Sequence, residues 1–399
     1  MPMSESRTRT MKSGETSKRI IPVIYLLGFL FALHSALPVY INSSFLAEFT
    51  TDRLVGLIYT ISSVLTIASF AKAPAVLRRL GNYRMTMFLL AGEFISLVGL
   101  IYLRLPALII FTFIINFVLI AVIGFNIDIF LEKFSANKRT GGIRGIFLSS
   151  VNGAWVVVPI LSSLFLTDSD YRKVYLAAAL LGLPAIFLIR HNLKNFKDPV
   201  YEGSNGLIGK IRQVTADKNV RNIFVANFIM QFFFAWMVIY TPIYLHNYIG
   251  FSWKTIGVIF SIMLLPFVIL EAPLGRIADR YLGEKELLAA GFVVMILSTT
   301  VLTFIGAKSA ILWATLLFLT RVGASTVEIM SETYFFKKVN VSGVEVISTF
   351  RMSRPLAHII GPAIATAILV LIPVQYLFLV LSFILLFGLG AALIITDTR

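Results

Sequence analysis

The chemistry-bearing residues of this chain concentrate between Arg321 and Pro362. One apolar helix carries Arg321, Ser325, Glu328 and Glu332 at offsets of 0, 4, 7 and 11, which puts all four on one stripe. A short basic turn, 336–342, leads to a second apolar helix with Arg351, Arg354 and His358 at offsets of 0, 3 and 7, again on one face. Their neighbours are Leu, Ile, Val, Phe and Ala. In a bilayer each such ionisable group costs roughly 2.5–3.5 kcal/mol on insertion scales, so it faces a bundle interior or a watery cavity. Charges of both signs at such depth suit ion pairs that break and reform, binding of a charged solute, or proton exchange.

Of the 399 residues, 58% are hydrophobic and 14% charged, with a mean hydropathy of +0.86. Soluble domains carry about 25% charged residues, so the class is integral membrane protein. The net charge of +15 would suggest nucleic acid in a soluble protein; here its distribution over loops matters more, and no nucleic-acid partner is expected. There is no cysteine, which excludes disulfides and thiolate chemistry. H-E-x-x-H, G-x-S-x-G and P-loop patterns are absent and the four histidines are scattered, so neither an enzyme nor a metal centre is expected.

These residues must be positioned by spanning helices. Twelve apolar runs are long enough, at about 20–41, 54–72, 84–103, 106–131, 144–166, 174–190, 220–245, 255–273, 286–306, 310–334, 344–370 and 375–396. The longest polar interval follows the sixth. The expected organisation is an N-terminal tail 1–19, a six-helix unit 20–190, a linker 191–219, a second unit 220–396 and a tail 397–399. Lys and Arg cluster before span 1 and after every even span, and are sparse after odd ones. By the positive-inside rule both tails and the linker are cytoplasmic, in a cell membrane. Within the linker, 207–220 has the composition of a short amphipathic surface helix or of a solvated basic loop.

The halves repeat. Asp128-x-Phe130-x-x-Lys133 matches Glu332-x-Tyr334-x-x-Lys337 at offset 204, Arg78-Arg79-Leu80-Gly81 matches Arg280-Tyr281-Leu282-Gly283 at offset 202, and Pro159 matches Pro362 at offset 203. Parallel six-span repeats with a site at their interface are a transporter architecture. The segment Gly275-Arg276-Ile277-Ala278-Asp279-Arg280-Tyr281-Leu282-Gly283 resembles the G-x-x-x-D-R-x-x-G signature of the major facilitator superfamily, which occurs after spans 2 and 8. The first-half copy has Ala73 and Leu77 in place of the Gly and Asp but keeps Arg78 and Gly81. The resemblance implies two pseudo-symmetric six-helix bundles around a central cavity, alternating access, and spans 1, 4, 7 and 10 lining that cavity.

On that frame, Gly275 permits close helix approach, and Asp279 can accept from the N-terminal amides of a neighbouring helix. Arg280 is expected to pair with Glu332 or Glu271, and Asp128 and Arg78 to stand at the same level; together with Gly283 these form a gating set. Candidates for substrate binding or coupling are His34, Asn126, Asn152, Trp155, Asn227, Gln231, Arg321, Glu328, Arg354 and His358. Arg321 and His358 lie near mid-membrane, with Glu328 and Arg351 about 10 Å toward the cytoplasm. Pairing of Glu328 with Arg351 would leave Arg321, Arg354 and His358 as surplus positive potential for an anionic substrate; the alternative pairs Glu328 with Arg354. His34, Glu328 and His358 suit proton coupling by chemistry and depth. Glu93, at mid-depth in span 3, must be protonated, turned inward or paired. The expected function is secondary transport of a small molecule by alternating access, proton-coupled, of drug-export or polar-metabolite type, by a monomer in the lipid bilayer without a cofactor. A lipid or lysolipid flippase, and a non-transporting receptor or channel, are the alternatives.

Overall fold

A computed structural model describes residues 3–39, 41–50, 52–135, 140–165, 170–199, 201, 209, 216–338 and 344–398. Twelve helices are long and apolar enough to cross a membrane, as the hydropathy predicts. In chain order they are α1 (Met3–Ala36), α2 (Asp52–Leu80), α3 (Asn82–Tyr102), α4 (Pro106–Phe134), α5 (Thr140–Phe165) and α6 (Tyr171–Asn192). The second half has α7 (Lys218–Ile243), α8 (Trp253–Ile277), α9 (Lys285–Leu302), α10 (Ala310–Lys338), α11 (Val344–Arg351, resumed as Ser353–Leu369) and α12 (Leu377–Ile394). The polar segment before Arg19 is helical and runs on into the apolar stretch Arg19–Ala36. About half of the linker, with most of the expected surface helix 207–220, lies outside the described residues.

Local chemistry sets the helix starts. Asp170 accepts from the N–H of Arg172, Asp217 from those of Asn219 and Val220, Ser252 from that of Thr255, and α4 begins on Pro106. Two helices pass into a π-turn shortly after a proline: α7 over Tyr244–Tyr248 after Pro242, and α8 over Ala278–Leu282 after Pro273. A proline removes one rung of the ladder and permits such a widening. The second π-turn carries Asp279 and Arg280, so it decides where these two side chains point.

One apolar cluster spans both halves. It joins Phe70, Leu77, Phe125 and Ile129 of α2 and α4 to Trp236, Phe267, Met330 and Phe350 of the second half. Lipid tails are as apolar as these side chains, so close packing rather than water expulsion holds the halves together. The tightest seam is α5 against α8, where glycines meet backbone. A Cβ on Gly275 would fall 2.1 Å from the carbonyl oxygen of Gly141, and one on Gly145 would fall 2.5 Å from that of Glu271. α2 packs on α11, and α10 touches α5 beside this seam.

Candidate functional site

At the end of the bundle that carries the linker, four helices bring their charges into one buried knot. Arg144, on the first turns of α5, is fully enclosed and reaches Asp128 (3.2 Å) and Glu132 (3.4 Å) of α4 and Glu332 of α10 (3.1 Å). Arg351, at the break in α11, reaches Asp128 at 2.6 Å and both oxygens of Glu332 at 2.5 and 3.0 Å. The face of Phe336 covers the Arg144 guanidinium, with 3.0 Å from Cζ to the ring centroid. Asp128 and Glu332 are the repeat-related acids, and each is held by one arginine from either half. Forked guanidinium–carboxylate contacts of this kind are the strong, geometrically selective ion pairs.

A second lock lies beside the first. Asp279 accepts from the N–H groups of Gly141 (3.2 Å) and Gly142 (2.8 Å), the first turn of α5. The helix dipole favours a carboxylate there. Lys337 of α10 binds the same Asp279 at 2.9 Å and Glu284 at 2.5 Å. Deeper along the seam, the Asn152 amide donates to both oxygens of Glu271, 3.1 Å each, and Glu271 is fully buried. Gly141 to Asn152 is eleven residues of α5, so the seam is closed over about 16 Å from the linker face.

Several pairings expected from sequence are replaced. Arg280 is exposed and, among the described residues, pairs with neither Glu332 nor Glu271. The π-turn aims Asp279 inward and Arg280 outward, and Arg144 and Arg351 take the role assigned to Arg280. Arg351 does not pair with Glu328. It sits one turn nearer the linker face, bonded to Glu332 and Asp128, and among the described residues no ion pair joins Glu328 to Arg351 or Arg354. Arg78 lies half-buried at the linker end of α2, and Gly283 closes the π-turn with φ of +77°.

The deeper candidates separate into distinct environments. Arg321 is 2% exposed, among the described residues bonds only the neighbouring Thr320 hydroxyl (3.2 Å), and lies 5.0 Å over the Phe233 ring of α7. No carboxylate pairs with it among the described residues. Arg354 is exposed and His358 partly so, and His358 Nδ1 lies 3.0 Å from the Arg354 carbonyl oxygen. Asn227 is buried and Gln231 half-buried on α7, below Trp236, whose indole donates to the Gly361 carbonyl at 2.8 Å. Trp155 packs partly buried against the α1–α5 cluster of Ala32, Leu33 and Val158.

Two candidates point away from the bundle interface. Asn126 donates to Thr86 of α3 (3.0 Å) and its carbonyl accepts from Asn82 (3.0 Å), so it ties α4 to α3. His34 is enclosed within the first half, 3.4 Å from Glu93 of α3 and with its ring against Gly182 of α6. Glu93 is therefore turned inward and paired. The site candidates from sequence omit Arg144, Lys337 and Glu284: the two basic residues lie in segments that the positive-inside rule accounts for, Lys337 enters only as a repeat match, and nothing local marks Glu284. The retrievable signal was Arg144 standing twelve residues after Glu132 and sixteen after Asp128, at the start of the next span.

The fold has known counterparts. The human organic anion transporter MFSD10 (TETRAN) superposes with a TM-score of 0.73 at 15% identity, covering 94% of this chain and 99% of that one. A bacterial homologue of the iron transporter ferroportin, solved in an outward-facing state, gives 0.76 at 12%, over 94% and 98%. FucP, a Major Facilitator Superfamily transporter in its outward conformation, gives 0.75 at 14%, over 96% and 100%. No curated protein sequence matches the chain. The sequence profile of the Major Facilitator Superfamily matches residues 24–344 and 223–399. With twelve spans, the motif after α8 and that coverage, the chain belongs to the Major Facilitator Superfamily of membrane transporters.

Proposed function

We propose that this protein is a secondary transporter that carries a small organic anion across a cell membrane by alternating access, in a state closed on the cytoplasmic side. The carrying observation is the pair of charge locks joining α4, α5, α8, α10 and α11 at the linker end. The linker end is the basic one, and the positive-inside rule supports reading it as the cytoplasmic end. Locks made of ion pairs and helix-end amides can break and reform without covalent cost, which is what rocking of two rigid bundles requires. The two outward-facing structures share this overall fold.

The substrate class rests on Arg321. A buried guanidinium without a carboxylate is expensive unless something anionic visits it, and Phe233 beside it favours an aromatic or apolar body on that anion. Transport of organic anions by the structurally similar MFSD10 points the same way. Energy comes from an ion or proton gradient. The test is uptake of labelled aromatic carboxylates into proteoliposomes, with and without a protonophore. Arg321→Gln should abolish uptake and Arg321→Lys retain part of it. Unchanged uptake of every anion by Arg321→Gln would remove the anion reading.

A further inference from the structure

Each six-helix half ends in an aspartate that folds back onto the third helix of its own half. After α6, Asp198 accepts from the N–H of Asn82 at 2.8 Å, at the start of α3. After α12, Asp397 accepts from the N–H groups of Glu284 and Lys285, 2.9 Å each, at the start of α9. Both carboxylates fill the space beside a glycine in the left-handed region, Gly81 at φ +76° and Gly283 at φ +77°. A Cβ on Gly81 would lie 2.5 Å from Asp198 Oδ2, and one on Gly283 2.6 Å from Asp397 Oδ1. As helix caps the two are equivalent.

They differ in what stands behind them. Asp198 is met by the Tyr201 hydroxyl at 2.5 Å, and burial together with this carboxylate raises the phenol pKa above its ordinary range. Asp397 begins a chain of contacts that ends at the gate. Beside it Thr398 donates to Glu284 at 2.8 Å, and Thr396 is held by Asn219 through two bonds of 3.0 Å and by the Tyr334 hydroxyl on its carbonyl at 2.7 Å. Glu284 is fully buried and binds Lys337 at 2.5 Å. Lys337 reaches Asp279 at 2.9 Å, and Asp279 holds the α5 amides. The first half cannot mirror this chain, because Leu77 occupies the position corresponding to Asp279.

We propose that Asp397 is a positioning residue for the gate. By fixing Glu284 at the start of α9 it places Lys337 against Asp279, so the segment after α12 sets how readily the linker side opens. This rests on the reading of the Asp279 seam as a gate. Ser149 lies on the stripe of α5 that carries Gly145 and Asn152, with its hydroxyl sealed and unpartnered, so a cysteine there reports seam opening. The chain has no native cysteine to confuse the signal.

In the Ser149→Cys background, Asp397→Asn keeps an oxygen for the two amides but removes the charge at the start of α9, and should raise the maleimide labelling rate about twofold to fivefold. Glu284→Gln should do the same. Asp198→Asn should lower the melting temperature comparably and leave the labelling rate unchanged. Equal labelling rates for Asp397→Asn and Asp198→Asn would overturn the proposal. If Asp397→Asn fails to fold, Thr398→Ala removes only the hydroxyl on Glu284 and should still speed labelling; no change there is equally fatal. Asp279→Asn separates the two levels. Unchanged labelling in that variant refutes the gate itself, whereas faster labelling in it alone refutes only the link to Asp397.

Discussion

At the scale of the residue, the knot at the linker end holds three carboxylates and two guanidiniums, and their contacts are unequal. Glu332 and Asp128 are each shared by Arg144 and Arg351, while Glu132 touches only Arg144, at 3.4 Å. Removing one member of a buried pair costs about 3–5 kcal/mol, mostly because the partner is left uncompensated. Removing Glu132 leaves both arginines with acids. Glu332→Gln and Asp128→Asn should therefore destabilise the closed state strongly, raising labelling at a Ser149→Cys probe by about a hundredfold, as roughly 3 kcal/mol requires. Glu132→Gln should stay within about tenfold of the parent. A Glu132→Gln effect as large as that of Glu332→Gln would show that the count of acids, not their sharing, holds the knot. The same accounting explains what was legible beforehand. Asp128 and Glu332 stood out as acids in apolar runs, but Arg144 sits in a basic helix start that the positive-inside rule already explained.

At the scale of the element, the α5–α8 seam depends on the absence of side chains. The spans and the close-packing role of Gly275 follow from hydropathy and motif, which are local properties. Which helix Gly275 meets is a tertiary fact, and nothing near it in the chain names Gly141. The direction of Arg280 was illegible for a related reason, since it is set by the π-turn after Pro273 rather than by the regular helical stripe. The geometry yields a matched pair of tests on one helix. Gly145→Ala puts a Cβ 2.5 Å from a carbonyl oxygen of α8 and 2.9 Å from the Cα of Ala272, so backbone must shift. Gly153→Ala, two turns further along α5, meets nothing within 4 Å. The first should open the seam, with labelling at Ser149→Cys up at least about tenfold, the scale of overpacking in a close-packed interface. The second should leave the rate unchanged. Equal behaviour of the two would mean that the seam is looser than drawn.

At the scale of the whole molecule, the question is whether the closed linker side is one state of a cycle or a permanent floor. A non-transporting receptor of this fold tolerates a fixed floor; a carrier does not, because its substrate must leave through it. The chain supplies a direct way to fix it. A side chain added at Gly142 begins 3.5 Å from the Cγ of Arg276 on α8, the place that the Sγ of a cysteine at 276 takes in the same rotamer, so a cysteine pair there is a candidate for bridging. Neither position spends a contact of the locks, since Asp279 takes the backbone N–H of Gly142 rather than a side chain. In the Gly142→Cys, Arg276→Cys variant, oxidation should abolish proteoliposome uptake and reduction should restore it. Binding of an anionic ligand to the oxidised protein should persist when offered from the face opposite the linker, read as ligand-dependent thermal stabilisation. Uptake that survives complete cross-linking would refute alternating access, because no opening of the α5–α8 seam would then lie on the transport path. Loss of both uptake and ligand stabilisation would instead mean that the cross-link distorts the cavity, provided that the variants Gly142→Cys and Arg276→Cys taken singly, which cannot form it, keep both.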